Sequence, residues 1–407
     1  MLACGTGAER PAVTVSVVTA PSDTTVTLPA RPLRATGVDT LAQDLVVPWG
    51  IAFAPGGALL VTERPGRIQR IVPDSGIATL WAELPDVYAN DPGIGPESGL
   101  LGIALDPDFE NTRHVFVAAT TWRSSGDRSN GLITRIWRGT AGILDPLARL
   151  SYQDRIIRLT DRDGHGIDPS VVVTGLVTNH YHAGGGLTFG PDGLLHFGIG
   201  DALRSPLAQD PDRLVGKILR YRPDGTPSGA LPTADSPVLA LGLRNTQAFT
   251  WLPDGSLLGV DHGPSGLPHE SGRAGRDELN VIRPGANYGW PLVVGWESAD
   301  GLTPPIWVWH EAIAPGGITL YREPDGAWDG TVLVAGLRGR LEQLTLRHEN
   351  GAWRVTERGA ILNGEYGRLR TVQQAPDGRV YLTTSNRDAR GQPRPGDDLV
   401  VRLTLSR

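Results

Sequence analysis

One phrase recurs six times along this chain: a short apolar strand runs into Pro-Asp-Gly or a near relative, and a second apolar strand follows. The copies are Trp49-Gly-Ile-Ala-Phe-Ala-Pro-Gly-Gly with Ala58-Leu-Leu-Val-Thr, Leu101-Gly-Ile-Ala-Leu-Asp-Pro-Asp-Phe with Val115-Phe-Val-Ala, and Gly186-Leu-Thr-Phe-Gly-Pro-Asp-Gly with Leu194-Leu-His-Phe. Further on come Ala248-Phe-Thr-Trp-Leu-Pro-Asp-Gly with Ser256-Leu-Leu-Gly-Val, Ile318-Thr-Leu-Tyr-Arg-Glu-Pro-Asp-Gly with Thr331-Val-Leu-Val, and Thr371-Val-Gln-Gln-Ala-Pro-Asp-Gly with Arg379-Val-Tyr-Leu. Pro presets φ for the first turn position, while Asp and Gly supply a side-chain bond and a positive φ, so each copy predicts a β-hairpin. Spacings between the turn prolines (Pro55, Pro107, Pro191, Pro253, Pro324, Pro376) are uneven, but each leaves room for a four-stranded unit with loops. The expectation is an all-β fold, a six-bladed β-propeller of four-stranded antiparallel blades. A large β-sandwich is the competing arrangement, and radial repetition better accounts for a count of six. Residues 1–37 are expected to form a tether and 38–407 the propeller.

Composition narrows the partners. The 53 Gly and 33 Pro suit many tight turns better than long helices, and no apolar run reaches the roughly 18 residues of a bilayer-spanning helix. A formal net charge of -6 argues against a nucleic-acid partner, which asks for a basic face. The single cysteine, Cys4, excludes an intrachain disulfide. Met1-Leu-Ala-Cys-Gly looks like the end of a bacterial lipoprotein signal, giving a lipid anchor at Cys4 and an exported protein that is periplasmic, a cell-surface lipoprotein or secreted; a chance cysteine in a loose end is the other reading.

Propellers place ligands at the mouth of the central channel, which directs attention to the loop ends flanking the hairpins. These carry His182, Asp201, Arg244-Asn245, Asp261-His-Gly-Pro, Arg338 with Arg340, and Arg368 with Arg370. A His near neutral pKa beside a carboxylate is the usual general base for a hydroxyl proton, which suits His182 and Asp201. A hydrogen-bonded structural His in a Gly-rich turn is the plainer alternative. Arginines converging on one mouth of an acidic protein imply a polyanionic ligand. Arg368 and Arg370 stand two apart on one strand face, able to grip carboxylates. Gly263-Pro264 adds two consecutive carbonyls that can face a hard cation, since proline has no amide proton and holds its predecessor extended.

The ordered phrases Pro48-Trp-Gly-Ile-Ala-Phe, Leu60-Val-Thr-Glu-Arg, Glu97-Ser-Gly-Leu-Leu-Gly, His182-Ala-Gly-Gly, Gly198-Ile-Gly-Asp, Gly216-Lys-Ile-Leu-Arg, Leu243-Arg-Asn, His262-Gly-Pro, Asp277-Glu-Leu-Asn, Asn287-Tyr-Gly-Trp-Pro and Gly367-Arg-Leu-Arg run from about residue 38 to the end. Together they resemble the soluble pyrroloquinoline quinone (PQQ)-dependent sugar dehydrogenases, the family of soluble glucose dehydrogenase and the aldose sugar dehydrogenases. The resemblance implies a six-bladed propeller that oxidises an aldose at C1 to a lactone. It makes His182 the base, Asp201 its orienting partner, and Arg244 and Asn245 ligands of the quinone oxygens. Arg338, Arg368 and Arg370 would hold the carboxylates, with Arg340, Glu97 and Trp309 among the cofactor's neighbours. One calcium would rest on the carbonyls of Gly263 and Pro264, and a second, structural one on Glu278 and the Tyr288 carbonyl.

The chain departs from the family pattern at Gly186, where an Arg is common, at the lengthened stretch Ser265 to Arg276, and at His310-Glu-Ala in place of Thr-Pro-Ser. A calcium-dependent lactonase and a non-catalytic binding propeller are the alternative functions. The electron acceptor, and whether the chain acts as a monomer or homodimer, are not specified by the residues.

Overall fold

Apolar runs such as Thr331-Val-Leu-Val-Ala-Gly do not alternate with polar residues, which means both faces of the strand must be covered. The computed structural model, which describes residues 15–17, 26–88, 97–122, 152–233, 235–266, 270 and 273–407, shows how. Six four-stranded antiparallel sheets stand side by side. Their innermost strands are Pro48–Phe53, Leu100–Leu105, Leu187–Phe189, Thr246–Trp251, Pro315–Leu320 and Leu369–Gln374. Each innermost strand contacts the next, and the sixth returns to the first, so the sheets close into a ring of blades 1 to 6. This is the six-bladed propeller expected from the hairpins, and every repeated phrase forms the two inner strands of one blade.

Six apolar clusters hold the ring, one between each pair of adjacent blades. In blade 5, Val332 and Val334 pack towards blade 4 while Leu333 and Ala335 pack towards blade 6. A period of two therefore serves two cores at once.

The ring is fastened by its ends. Arg34–Ala42 pairs antiparallel with Val400–Ser406 as the outer strand of blade 6, from Arg34 opposite Ser406 to Ala42 opposite Val400. The propeller therefore begins ahead of residue 38. Leu33 is buried among blades 5 and 6, and its N–H donates to Gln343 Oε1; Thr27 bridges Glu357. The anticipated tether boundary at 37 falls inside a strand because that strand finds its partner at the far end of the chain. Cys4 and its proposed lipid anchor lie outside the described residues. Among the described residues no helix is long and apolar enough to cross a membrane.

Candidate active site

The strongest constraint on the mouth comes from blade 3. Its inner strand is preceded by Tyr181-His-Ala-Gly-Gly-Gly and its second strand ends in Gly198-Ile-Gly-Asp. Gly184 takes a positive φ of 71°, and a Cβ on Gly200 would overlap the His182 carbonyl, so these glycines let the two loops meet backbone to backbone. His182 itself has a φ of 57°, a conformation that non-glycine residues seldom adopt and that tends to mark functional positions.

Here His182 Nδ1 lies 2.7 Å from Asp201 Oδ1. Leu203 N–H donates to the same oxygen at 2.9 Å and Trp290 Nε1–H donates to Oδ2 at 2.8 Å. Burial alone would raise the Asp201 pKa, but the bond and charge of His182, with Arg244 and Trp290, hold it below the ordinary value. An ionised Asp201 keeps the Nδ1 proton on His182, which leaves the Nε2 lone pair as the acceptor.

Glu97, in the loop entering blade 2, ties four segments together. Its Oε2 accepts the His182 N–H at 2.8 Å and Asn245 Nδ2–H at 3.1 Å, and its Oε1 meets Arg390 Nη1 at 3.0 Å. Burial opposes its charge, yet Arg390, His182 and His262 outweigh that and hold the carboxyl far below the usual range. Asn245 Oδ1 accepts from Gly184 N–H and Gln247 Nε2. Its backbone is fixed by Asp261, which accepts the N–H groups of both Arg244 and Asn245 at 2.9 Å.

Opposite stands an arginine group. Arg370 is buried, lies over the Trp49 ring at 5.5 Å, and donates Nη1–H to Gln247 Oε1 at 2.9 Å. Burial lowers its pKa to about 10. Its Nε and the Nη2 of buried Arg64 are buried donors with no partner. Arg368 pairs with Asp388 at 2.8 Å and donates to the Leu337 carbonyl, while Arg390 lies over Tyr181.

On blade 4, Arg244 donates Nε–H and Nη2–H to Glu270 Oε1 at 2.8 and 2.5 Å and sits over Trp290. His262, beside it, is half-buried; desolvation lowers its pKa to about 3, and its Nε2 lies 3.0 Å from the Pro315 carbonyl oxygen. Of the anticipated metal carbonyls, Pro264 O accepts Gly275 N–H at 3.0 Å, while Gly263 O accepts no hydrogen bond among the described residues. Asp277 fixes the turn by accepting Gly263 N–H and Ala314 N–H. Glu278 accepts from Gly295 N–H and Asn280 Nδ2–H; burial, then the nearby Asp261, pushes its carboxyl up to about 8. Asn280 Oδ1 is buried without a partner. The Tyr288 hydroxyl bonds the Val281 carbonyl, and its own carbonyl accepts no hydrogen bond among the described residues. Among the described residues no three His, Cys, Asp or Glu side chains group to hold a metal.

The structure thus gathers His182, Asp201, Glu97, Arg244, Asn245, Arg368 and Arg370 about the mouth. Trp309 is not with them. It is 1% exposed in the core between blades 4 and 5, and its Nε1–H donates to Glu342 at 2.8 Å. Arg338 is exposed with no side-chain bond among the described residues, and Arg340 faces Glu342 at 3.9 Å, so neither joins the buried arginine group. Three mouth residues had gone unremarked as ligands: Arg64, Arg390 and Asp388. Arg64 ends the phrase Leu60-Val-Thr-Glu-Arg and could have been noticed; Arg390 has no local signal.

A buried imidazole oriented by an ionised carboxylate, set among guanidinia at the axis of a propeller, defines a protein with an acid–base centre over an anion-binding rim. Comparison with known proteins sharpens that class. The model of the glucose/sorbosone dehydrogenase family matches residues 45–399, and the chain belongs to this family of sugar-oxidising oxidoreductases. It is 29% identical over 369 residues to the aldose sugar dehydrogenase YliI of Escherichia coli K12, covering 85% of this chain and 89% of the relative. It also superposes on the PQQ-bound aldose sugar dehydrogenase of Streptomyces coelicolor with a TM-score of 0.75 and 33% identity, covering 93% of this chain and all of that one. The quinoprotein glucose dehydrogenase B of Acinetobacter calcoaceticus is 28% identical over 287 residues, covering 64% of this chain and 53% of the relative.

Proposed function

We propose that this protein oxidises aldoses at C1 to lactones with PQQ as electron acceptor and calcium at its side. The observation that carries the reading is the buried His182–Asp201 pair in a mouth that also holds buried guanidinium donors without partners among the described residues. A small polyanion suits Arg64 Nη2 and Arg370 Nε, since each buried donor left without an acceptor costs about 1–3 kcal/mol. A hard cation suits the Gly263 carbonyl, unbonded among the described residues, with Pro264 beside it, and a second suits Glu278 and the orphaned Asn280 Oδ1. When bound, PQQ supplies a two-electron acceptor and calcium a Lewis acid that polarises it.

The chain's own residues do the rest. His182 Nε2 takes the proton of the sugar C1 hydroxyl, and Asp201 stabilises the imidazolium that results, a role worth about 10²–10⁴-fold in rate. Glu97 holds the His182 backbone while Asp201 orients its ring, and Asn245 is tied to the same Glu97 carboxylate. Arg64, Arg368 and Arg370 bind the cofactor's carboxylates, and Arg244 and Asn245 its oxygens. The test is titration of the purified protein with PQQ and calcium together. Dye-linked activity should appear on an aldose panel only when both are present; no activity with both would overturn the reading.

A further inference from the structure

Described residues of the lengthened stretch between Gly263-Pro264 and Asp277 reach back into the site, above all Glu270. Glu270 is 2% exposed, and its Oε1 accepts both Nε–H and Nη2–H of Arg244. Its Oε2 accepts Ser265 N–H at 2.8 Å. Arg244 Nη2 also donates to Ser265 Oγ at 3.1 Å and Nη1 to the His262 carbonyl at 3.3 Å. Counting one hydrogen per contact, these four bonds take four of the five N–H donors a guanidinium carries. One remains. Arg370 is the contrast: among the described residues its side chain donates to the neutral Gln247 amide oxygen alone, and its Nε has no partner.

We propose that Glu270 is a positioning residue that sets how Arg244 addresses the quinone, acting as a built-in counter-anion. This rests on the reading of Arg244 as a quinone ligand given above. Glu270 locks the guanidinium plane over Trp290, offers the ligand a single N–H, and cancels most of the charge that Arg244 would otherwise present. Arg370 and Arg64 then supply attraction for the anion, while Arg244 supplies direction. The carboxylate also moderates stabilisation of the negative charge that builds on the quinone oxygens during reduction.

Glu270→Gln keeps the size and removes the charge. With calcium present, PQQ binding followed by quenching of tryptophan fluorescence should tighten about tenfold, as expected for a close charge pair. The midpoint potential of the bound quinone couple should also shift positive. Glu270→Asp, which keeps the charge, should leave the potential at its wild-type value. A residue that merely props the loop would weaken binding in Glu270→Gln without moving the potential, and that result, or unchanged affinity and potential, overturns the proposal. Wild-type protein that fails to bind PQQ would instead sink the functional reading itself, so the two failures are separable.

Discussion

The two ends of the inner hairpins are built by opposite strategies. At the Pro-Asp-Gly end four of the six turns carry the same local bond: Asp192, Asp254, Asp325 and Asp377 accept the N–H two residues on at 2.9–3.1 Å, and the following glycines have positive φ. At the mouth the polar groups are satisfied from other blades. Glu97 serves His182, Asn245 and Arg390, up to 293 residues away. One end can lose a residue and only loosen a turn. The other shares its partners, so a single change there unsettles several blades' worth of geometry.

That contrast can be broken from either side. The largest effect belongs to His182→Ala, which should lower kcat about 10³-fold while PQQ affinity stays within about twofold, because the base acts only in the chemical step. Steady-state rates beside a binding isotherm measure both, and a kcat within tenfold of wild type would remove His182 from its role. Next comes the pair Arg368→Ala with Arg370→Ala. Two charge-assisted bonds at about 1.5–3 kcal/mol each should weaken PQQ binding by about 10²–10⁴-fold, with turnover at saturating cofactor largely kept. Normal affinity would contradict the anion-binding rim.

Asp154 sharpens the comparison through pH. It is buried behind the Glu97 loop, bonded to Thr120 at 2.6 Å with Oδ2 unpartnered, and burial raises its pKa to about 7. The folded state therefore holds this proton more tightly than the unfolded chain, whose Asp titrates near about 4. Its contribution to stability is full below about pH 4 and is lost as pH rises through 7. Asp154→Asn should accordingly stabilise the protein at pH 8 by up to about 4 kcal/mol and change little at pH 4, as denaturant midpoints would show. An equal effect at both pH values would contradict a raised pKa. The smallest effect is at the turns: Asp377→Ala removes one exposed hydrogen bond from Arg379 N and an exposed ion pair with the Arg379 side chain, and should cost about 0.5–1 kcal/mol with kcat unchanged. A fall in kcat would mean the two ends are coupled.

Legibility in the sequence follows the same division. The hairpins were readable because Pro, Asp and Gly act on their own neighbours, and six of them sufficed for the fold. The strand Arg34–Ala42 was placed too late because its partner lies at the other end of the chain. At the site, His182, Asp201 and Arg370 were found at loop ends, where blade geometry predicts them, but Arg390 and Asp388 sit in a loop with no repeat to align. Trp309 went astray for a local reason. Trp307 and Trp309 alternate onto one face of a strand buried against blade 5, where an apolar run in a doubly covered sheet must pack. Glu270 was hidden by length: a lengthened loop was visible, the carboxylate that reaches Arg244 was not.

The central claim is that the His182–Asp201 pair works on a sugar held against bound quinone. Its most direct test is anaerobic addition of one equivalent of an aldose to protein loaded with PQQ and calcium, read as the absorbance of the bound quinone. Bleaching of the oxidised band with release of one lactone per protein is the predicted result. An oxidised band that persists through the whole aldose panel, on protein shown to hold both PQQ and calcium, would contradict it.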